Sequence, residues 1–268
     1  MPAGSYIIRG GLAGRERLQT LARAMGPATL DLLHRAGIGP GQTCLDLGCG
    51  GGDVARELAR LVGPSGHVLG LDLDEVKLAI ARDEAAAEGL GNITFATADA
   101  VRGLGAIGPV DVGYARFLLT HLRDPLAVLR ELCGTVRPGG LVVLEDIEIS
   151  ASLAFPPSDA FDAYTDIYRR TALARGVDPD IGPRLPVLLR EAGIAPVEVT
   201  LVQPAGIDGA AKLLAPLTME AIADAVVDHG VADAPSVALL VDALYRLAGD
   251  GRTLVSMPRV TQVWGRKG

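Results

Sequence analysis

A glycine-rich turn constrains the fold of this chain more than any other segment. Residues 44–53 read C-L-D-L-G-C-G-G-G-D and follow the turn-forming residues Gly39, Pro40 and Gly41. The apolar start of this segment predicts a short buried strand, and the alternate glycines predict a tight turn into a helix. Glycine suits such a turn because it adopts positive φ and lets a ligand approach the backbone, where a Cβ would collide. The turn is therefore expected to contact a ligand.

Strand and helix patterns alternate after this turn. The predicted strands are Thr43–Leu47, His67–Leu71, Ile93–Ala96, Val110–Tyr114, Leu141–Glu145, Val197–Val202 and Arg259–Trp264. Helices are predicted from Arg15 onward and over Asp53–Val62, Glu75–Glu88, Pro125–Val136, Leu185–Ala192, Met219–His229 and Pro235–Ala248. Such alternation predicts right-handed βαβ units, and hence an α/β fold with a parallel sheet that has helices on both faces.

Two kinds of ligand are compatible with the glycines alone. Gly50, Gly52 and Ala55 fit the relaxed G-x-G-x-x-A dinucleotide fingerprint, with Asp72 as its ribose acid. Asp46 separates the two interpretations, because a carboxylate before the first glycine repels a pyrophosphate and attracts a cation. S-adenosylmethionine (SAM) fits the second interpretation, since one end of it carries an ammonium and a sulfonium.

Two further acids follow the next two predicted strands. Asp72 stands at the carboxyl end of the second strand, and Asp99, followed by Ala100, comes after the third. In an open parallel sheet these ends face the ligand crevice. The Asp72 carboxylate can accept hydrogen bonds from ribose hydroxyls, while Asp99 and the Ala100 N–H could contact an adenine edge. As an alternative, Asp72 and Asp74 could only cap the following helix, and we interpret Asp74 itself as that cap.

In this order the motifs resemble those of class I SAM-dependent methyltransferases. The matching segments are D-L-G-C-G-G-G-D, G-L-D-L-D, A-D-A, D-V-G-Y-A-R-F-L-L-T-H-L-R-D-P and R-P-G-G-L-V-V-L-E-D, from about Tyr6 to Ile147. The chain looks most similar to the small-molecule branch, which includes ubiquinone- and menaquinone-type and bacterial natural-product methyltransferases. The resemblance implies a Rossmann-like, seven-stranded, mostly parallel sheet with an added helical cap, closed by an antiparallel pair of strands.

The resemblance also implies which residues contact the cofactor. Asp46, Gly48 and Gly50 would lie along the methionine moiety, and Asp72 would hold the ribose. The remaining expected contacts are Leu73 packed on the adenine, Asp99 and Ala100 at its edge, Arg116 after the fourth strand, and Tyr6, with Arg9, in an N-terminal lid.

Composition limits the class of acceptor, and the spacing of cysteine and histidine argues against a metal site or a disulfide. The net charge is -7, aromatic residues make up 4% of the chain, and no run of Lys or Arg occurs. A nucleic-acid partner is therefore not expected. The three cysteines lack C-x-x-C spacing and the histidines lack ligand spacing, so neither a metal site nor a disulfide is predicted. With no signal-like start and no long apolar run, a cytoplasmic protein without a membrane partner is expected.

Segments outside the alternating core are expected to shape the acceptor pocket. We predict an N-terminal helical lid at residues 1–38 and a methyltransferase domain at residues 39–268, with cap insertions at 149–182 and 205–252. Four of the ten aromatic residues fall in the first insertion: Phe155, Phe161, Tyr164 and Tyr168. The last three share one helix face, which could line a pocket or simply dock on the sheet. A small apolar or aromatic acceptor is expected.

Two residues are candidate bases. His121, after the fourth strand, could accept a proton near neutral pH, although H-L-x-D-P also recurs in the family as a turn into the next helix. Asp146 is favoured over its neighbours Glu145 and Glu148 by its position after the fifth strand. Arg116 could also orient an acceptor oxygen or pair with a carboxylate such as Asp146.

These observations predict a SAM-dependent methyltransferase of a small metabolite, with a role in natural-product biosynthesis and S-adenosylhomocysteine (SAH) as the product. The methyl acceptor atom could be oxygen, nitrogen or carbon. Three alternatives stay open: a SAM-binding enzyme of the same fold that catalyses cyclisation or decarboxylation, a nicotinamide oxidoreductase, which Asp46 disfavours, and a noncatalytic SAM-binding protein. A homodimer formed through the cap helices is also compatible with the sequence.

Overall fold

The computed structural model describes residues 11–105 and 107–268. The described residues form these strands: β1 (Thr43–Leu47), β2 (His67–Asp72), β3 (Ile93–Thr97), β4 (Val110–Arg116), β5 (Val136–Glu148), β6 (Ala154–Phe155), β7 (Ile194–Val202), β8 (Ala205–Gly206), β9 (Leu254–Ser256) and β10 (Arg259–Lys267). They also form these helices: α1 (Gly11–Arg35), α2 (Asp53–Val62), α3 (Glu75–Ala87), α4 (Pro125–Thr135), α5 (Asp159–Ala174), α6 (Leu185–Glu191), α7 (Ala210–Asp228) and α8 (Ala234–Gly249).

The central sheet has seven strands in the order β3-β2-β1-β4-β5-β10-β7. Strands β1 to β5 pair in parallel, while β10 runs antiparallel to both β5 and β7. This arrangement confirms the predicted mostly parallel sheet and its antiparallel closing pair. The strand order reverses at β1, which lies between β2 and β4, so the crevice at the carboxyl ends of these strands is the expected ligand site.

Apolar side chains cover both faces of the sheet. Leu45 and Leu47 of β1 pack into a core shared with α4 and α6, and Cys44 packs into a second core shared with α2 and α3. Successive strand residues point to opposite faces, so Asp46 lies on the same side as Cys44. The buried acidic side chain of Asp46 distinguishes β1 from an ordinary core strand, whose buried residues are apolar.

The cap is built from α5, α7 and α8, which share a third apolar core. A small sheet in the order β6-β9-β8 completes it, and α1 packs against α7, α2 and α3. The short strands were not predicted, because two or three residues carry no readable period. None of the helices in the described ranges is long and apolar enough to cross a membrane.

The two largest differences from the predicted boundaries are at the starts of α7 and β5. Helix α7 begins at Ala210 instead of Met219, with Pro216 inside it. Proline removes one helical hydrogen bond, and packing of α7 against α1, α5 and α8 compensates for that loss. Strand β5 begins at Val136 instead of Leu141, because Val136 pairs with Val110 before an irregularity in the ladder.

Candidate functional site

A cavity lies at the carboxyl ends of β1, β2 and β4, under α1 and the cap. Its cofactor-side wall contains Asp46, Gly48, Cys49, Gly50, Gly51, Asp53, Val54, Asp72 and Lys77, and the residues after β4 contribute Phe117, Leu118, Thr120 and His121. The rest of the wall comes from α1, from the end of β5 and from the cap. One continuous cavity therefore joins the glycine turn to the cap.

The glycine turn has the geometry that the sequence predicts. Gly48, Gly50 and Gly52 have φ values of 75°, 54° and 74°. A Cβ at Gly52 would lie 2.9 Å from the ring of Phe95, so any larger residue would collide as well as being strained. The N–H groups of Gly48 and Cys49 both donate to the Leu71 carbonyl, at 2.7 and 2.9 Å. These bonds fix the turn against β2.

Asp46 is a buried carboxylate on the cavity wall. Its Oδ2 has no hydrogen-bond partner among the described residues. Burial raises the pKa of Asp46 to about 7, with Arg116 opposing the rise and Asp72 and Asp53 adding to it. An unsatisfied buried acceptor at the edge of a cavity fits a cationic donor such as an α-ammonium. The residues present therefore fit the amino-acid end of SAM.

Asp72 is held rigidly at the end of β2. Its Oδ2 accepts the Gly50 N–H at 2.8 Å, and its Oδ1 accepts the Asp74 N–H at 2.9 Å. Each carboxylate oxygen has a second lone-pair site, which suits it to the two hydroxyls of a ribose. Asp74 caps α3 through the N–H groups of Val76 and Lys77, as the sequence predicts.

The expected adenine contacts lie in an adjoining cavity. Its wall includes Leu73, Asp99 and Ala100, and it shares Gly48, Asp72, Leu118 and His121 with the larger cavity. The Asp99 side chain accepts the N–H of Val101 and forms an ion pair with Arg102. Of the expected cofactor contacts, Tyr6 lies outside the described residues.

Arg116 faces Asp46 in the structure. Its charge opposes the rise of the Asp46 pKa, and its Nη1 donates to Thr29 Oγ1 at 3.1 Å. Glu145 accepts from Thr29, Tyr114 and Gln262 in the same buried network. Arg116 therefore lies on the cofactor side of the cavity. The alternative that it pairs with Asp146 is not observed among the described residues, because other groups hold Asp146.

Helix α1 forms the roof of the cavity and lies within the segment expected to form an N-terminal helical lid, although the sequence did not indicate which of its residues line the cavity. Gly14, Arg17, Leu18 and Leu21 line the cavity. Arg15 lies across the glycine turn, where it forms salt bridges with Asp53 and Glu84. Its guanidinium would lie 2.4 Å from a Cβ at Gly51. The absence of a side chain at Gly51 therefore leaves space for Arg15 to cross the turn.

Two of the four aromatic residues expected in the pocket lie on the cavity wall. Tyr164 and Tyr168 line it. Phe161 is buried in the cap core instead, with its ring 5.9 Å from that of Tyr164. Phe155 departs from the prediction altogether: it lies on the short strand β6 and is 67% exposed. Its neighbour Ala154 packs against the cap core, and because successive strand residues point to opposite faces, the side chain of Phe155 points away from that core.

His121 lies where the cofactor and acceptor parts of the cavity meet. Burial, together with the positive charges of Arg17, Lys77 and Arg175, lowers the pKa of His121 to about 3. The imidazole is therefore neutral at neutral pH, but it is a weak base in the absence of a nearby anion.

Asp146 lies behind the cavity wall, contrary to the expectation that it acts as a base. Its Oδ2 accepts the Thr120 N–H at 3.1 Å and its Oδ1 accepts the Ile147 N–H at 2.8 Å. Burial raises its pKa to about 7, and these backbone donors oppose the rise. Because both oxygens hold backbone groups, the observed geometry suits Asp146 to fixing the segment that carries His121. Among the described residues, no group of three or more His, Cys, Asp or Glu side chains could hold a metal ion.

Comparisons with known proteins agree with this site. Residues 38–173 match the model of a methyltransferase domain family. The chain is 30% identical over 174 residues to the ubiquinone/menaquinone biosynthesis C-methyltransferase UbiE of Vibrio campbellii, covering 59% of this chain and 66% of that protein. It is 30% identical over 184 residues to the methyltransferase GfsG of Streptomyces halstedii, covering 68% of this chain and 63% of that protein.

A solved structure supports the fold assignment. The crystal structure of a putative methyltransferase from Bacillus halodurans C-125 superposes with a TM-score of 0.61 at 20% identity, covering 90% of this chain and 99% of that one. The chain spans less than two thirds of the length of the two curated relatives, UbiE and GfsG. The family match covers about half of the chain, including the glycine turn, Asp46, Asp72 and Asp99. The chain therefore belongs to the class I SAM-dependent methyltransferase family, whose cofactor is S-adenosylmethionine.

Proposed function

We propose that this protein transfers the methyl group of SAM to an oxygen, nitrogen or carbon atom of a small, apolar or aromatic metabolite. One observation carries the proposal: a single cavity extends from the unsatisfied carboxylate of Asp46 to the rings of Tyr164 and Tyr168. Such a cavity can hold a cationic cofactor at one end and an apolar acceptor at the other.

The geometry suits a reaction that depends on positioning. Methyl transfer from a sulfonium is an in-line displacement, so alignment of the acceptor with the methyl group supplies much of the rate. Asp46 and Asp72 would fix the cofactor from the sheet side, while α1 covers it. Leu214 and Met257 add apolar surface to the cap side of the cavity. These walls would exclude water from the reacting atoms.

The names of the relatives guide the choice of acceptors. The first relative is named as a C-methyltransferase of ubiquinone and menaquinone biosynthesis. We therefore include ring-carbon acceptors among the candidates, together with phenols and aryl amines. A neutral His121 could take a proton from such an acceptor if a bound anion raises its basicity.

Methyl-labelled SAM tests the proposal directly. The purified protein is incubated with labelled SAM and a panel of phenols, hydroquinones and aryl amines, and the products are separated by mass. Transfer of the label to an acceptor, with formation of SAH, is expected for the native protein. Asp46→Asn should reduce transfer at subsaturating SAM, because it removes the charge that binds the ammonium. Asp83→Asn, on the exposed side of α3, is the matched control.

Two other outcomes would support the alternatives. An acceptor that cyclises or loses CO₂ while the label stays on SAM would identify a non-methylating enzyme. Tight SAH binding with no change in any acceptor would favour a noncatalytic SAM-binding protein.

Four expectations from the sequence remain predictions: the cytoplasmic location, the role in natural-product biosynthesis, the absence of a nucleic-acid partner and the homodimer. The size of the native particle in solution tests the homodimer.

A further inference from the structure

The cavity wall contains a guanidinium that the proposed methyl transfer does not use. Arg17 lies on α1, and it lines the cavity together with Tyr164, Tyr168 and Thr218 of the cap. It is half-buried, and burial is the main cause that lowers its pKa. The charge is thus held at the acceptor end of the cavity, opposite the carboxylates that fit the cofactor.

Arg17 has no carboxylate partner in the described part of the chain. Its Nε donates to Thr218 Oγ1 at 3.0 Å, and none of the described salt bridges includes Arg17. Residues 1–10 contain neither Asp nor Glu, so that segment cannot supply the missing charge. The terminal nitrogens of a guanidinium offer four N–H donors, in a fork that matches a carboxylate or another planar anion.

The groups around Arg17 extend this donor set. The Tyr164 hydroxyl interacts with Thr218, which also accepts from Arg17. Arg17 acts electrostatically on both Tyr164 and Tyr168, and burial raises the pKa of Tyr164 to about 12, so its hydroxyl is a neutral donor at neutral pH. The two ring centroids lie 6.4 Å apart, with an angle of 61° between the ring planes. An anion bound here would receive hydrogen bonds from a charged group and from hydroxyls.

We infer that Arg17 forms an anion subsite for the acceptor, so that the substrate is a small aromatic or apolar molecule carrying a carboxylate or a comparable anionic oxygen. The inference rests on the proposed function, because it names the substrate class of the same cavity. Such an anion would also neutralise one of the charges that depress the basicity of His121. Acceptor binding and proton acceptance would thus be coupled.

A structural role for Arg17 is the competing explanation. Arg17 also lines a second cavity between α1, α7 and α8, whose wall includes Glu16, Glu220 and Asp242. None of these acids forms a salt bridge with Arg17 among the described residues, so the observed contacts of Arg17 do not serve to neutralise them. A structural arginine should lower stability when it is removed. An unpaired buried charge kept for ligand binding should not, because its removal relieves a desolvation cost.

Matched pairs of acids and amides test the subsite without knowledge of the natural substrate. The probes are benzoate, cinnamate and 2-naphthoate, each paired with its neutral carboxamide. Binding to the SAH-saturated protein is measured by ligand-observed NMR and calorimetry. For at least one pair we expect the acid to bind roughly 10- to 100-fold more tightly than the amide, the range given by a charge-assisted hydrogen bond. Arg17→Met should abolish this preference.

The control variant is Arg23→Met, which changes an exposed arginine on the same helix. It should keep the preference for the acid. Arg17→Met should also keep SAH affinity within about a factor of two of the native value, and its melting temperature should be no lower than that of the native protein. A native protein that does not prefer any acid, or a preference that survives in Arg17→Met, would overturn the inference. A lower melting temperature with unchanged preference would establish the structural role.

The proposed function can fail separately. If the native protein does not bind SAH, the cofactor assignment fails before any acid is tested. If SAH binds and the acid preference depends on Arg17, but no acid accepts a methyl group, the subsite stands and the reaction type must change. If methyl transfer occurs to neutral acceptors alone, the proposed function stands and the anion subsite does not.

Discussion

At the scale of single residues, the site is defined by Asp46 and Arg17, which form no salt bridge among the described residues. Burying a carboxylate whose Oδ2 lacks a donor is unfavourable, and the pKa of Asp46 rises to about 7, although the Ala55 N–H and the charge of Arg116 oppose the rise. On the opposite wall, burial lowers the pKa of Arg17. A zwitterionic cofactor and an anionic acceptor would compensate these charges in the complex. The free protein is expected to be less stable than a variant with neutral residues at both positions.

The raised pKa of Asp46 predicts a pH dependence of cofactor binding. Below its pKa of about 7 the carboxyl is protonated and loses its attraction for the ammonium of SAH. Affinity should therefore fall by about tenfold as the pH is lowered from about 8 to about 6, and binding should release protons in that interval. Calorimetry in buffers of different ionisation enthalpy measures both quantities.

Two variants identify the source of that pH dependence. Asp46→Asn should bind SAH about 10- to 100-fold more weakly at about pH 8, because a charge-assisted hydrogen bond is lost. Its affinity should vary little with pH. Asp83→Asn should behave like the native protein. Equal native affinities at both ends of the pH range would contradict the assignment of the titrating group to Asp46.

His121 gives a second prediction at this scale. Because burial and three nearby cations lower its pKa to about 3, its ring should stay neutral over the pH range where proteins are usually studied. Ring carbon chemical shifts of labelled histidine, assigned with His121→Gln, should show no titration of His121 between about pH 5 and about pH 8. Addition of a bound aryl acid should raise its pKa. A titration midpoint of His121 near pH 6 in the free protein would show that its imidazole is not buried in the way the structure indicates.

At the scale of elements, long periodic patterns were predictable and short or interrupted ones were not. The predicted bounds of β1 and α2 coincide with the observed ones, because an apolar strand, a glycine turn and an amphipathic helix follow each other there. Helix α7 was predicted nine residues short, since Pro216 suggests a break that tertiary packing overrides. Phe155 was misplaced because composition alone cannot separate a pocket aromatic from one on an outer strand.

The roof formed by α1 was partly predictable, but its attachment was not. A helix was expected from Arg15 onward, yet its ion pairs with Asp53 and Glu84 join residues that are 38 and 69 positions apart. Such separations leave no local pattern. These contacts lie on α2 and α3, beside the glycine turn, so they hold the roof over the cofactor part of the cavity.

Loss of the Arg15 ion pairs should loosen this roof. Arg15→Met should increase the dissociation rate of SAH by roughly 3- to 10-fold and increase amide hydrogen exchange in the first turns of α1. Stopped-flow displacement and exchange mass spectrometry measure these effects. Arg60→Met removes the ion pairs that Arg60 forms with Glu57 and Glu88 at the surface, away from α1, and serves as the control. If both variants release SAH at the same rate, α1 does not limit cofactor exchange.

At the scale of the whole molecule, the acceptor end of the cavity exists only because three distant segments meet. Arg17 comes from α1, Tyr164 and Tyr168 from α5, and Thr218 from α7. The cofactor motifs could be found in the sequence because one βαβ unit carries most of them. The acceptor wall depends on how the cap docks, which no spacing encodes. Cap geometry should therefore determine acceptor selection with little effect on SAH binding.

Lys212 connects the loops that hold this cap together, and it gives a test of cap integrity. Its buried ammonium donates to the carbonyls of Ile207, Asp250 and Thr253 at 3.1, 2.6 and 3.0 Å. Lys212→Met would leave the carbonyls of Ile207 and Thr253 without this donor, at a cost of about 3 kcal/mol, while the Asp250 carbonyl would still accept from Thr253. For a protein of this size the melting temperature should fall by about 6 to 12 °C.

The control for Lys212 lies in the loop after α8, whose carbonyls Lys212 holds. Arg252→Met removes an exposed side chain that pairs with Asp250, so it should change the melting temperature little. Because the cofactor motifs lie on the sheet, Lys212→Met should still bind SAH below its melting temperature. It should lose the preference for aryl acids, since Arg17 and Thr218 depend on the position of α7. Retention of both the native melting temperature and the acid preference would mean that the acceptor wall forms without this clamp.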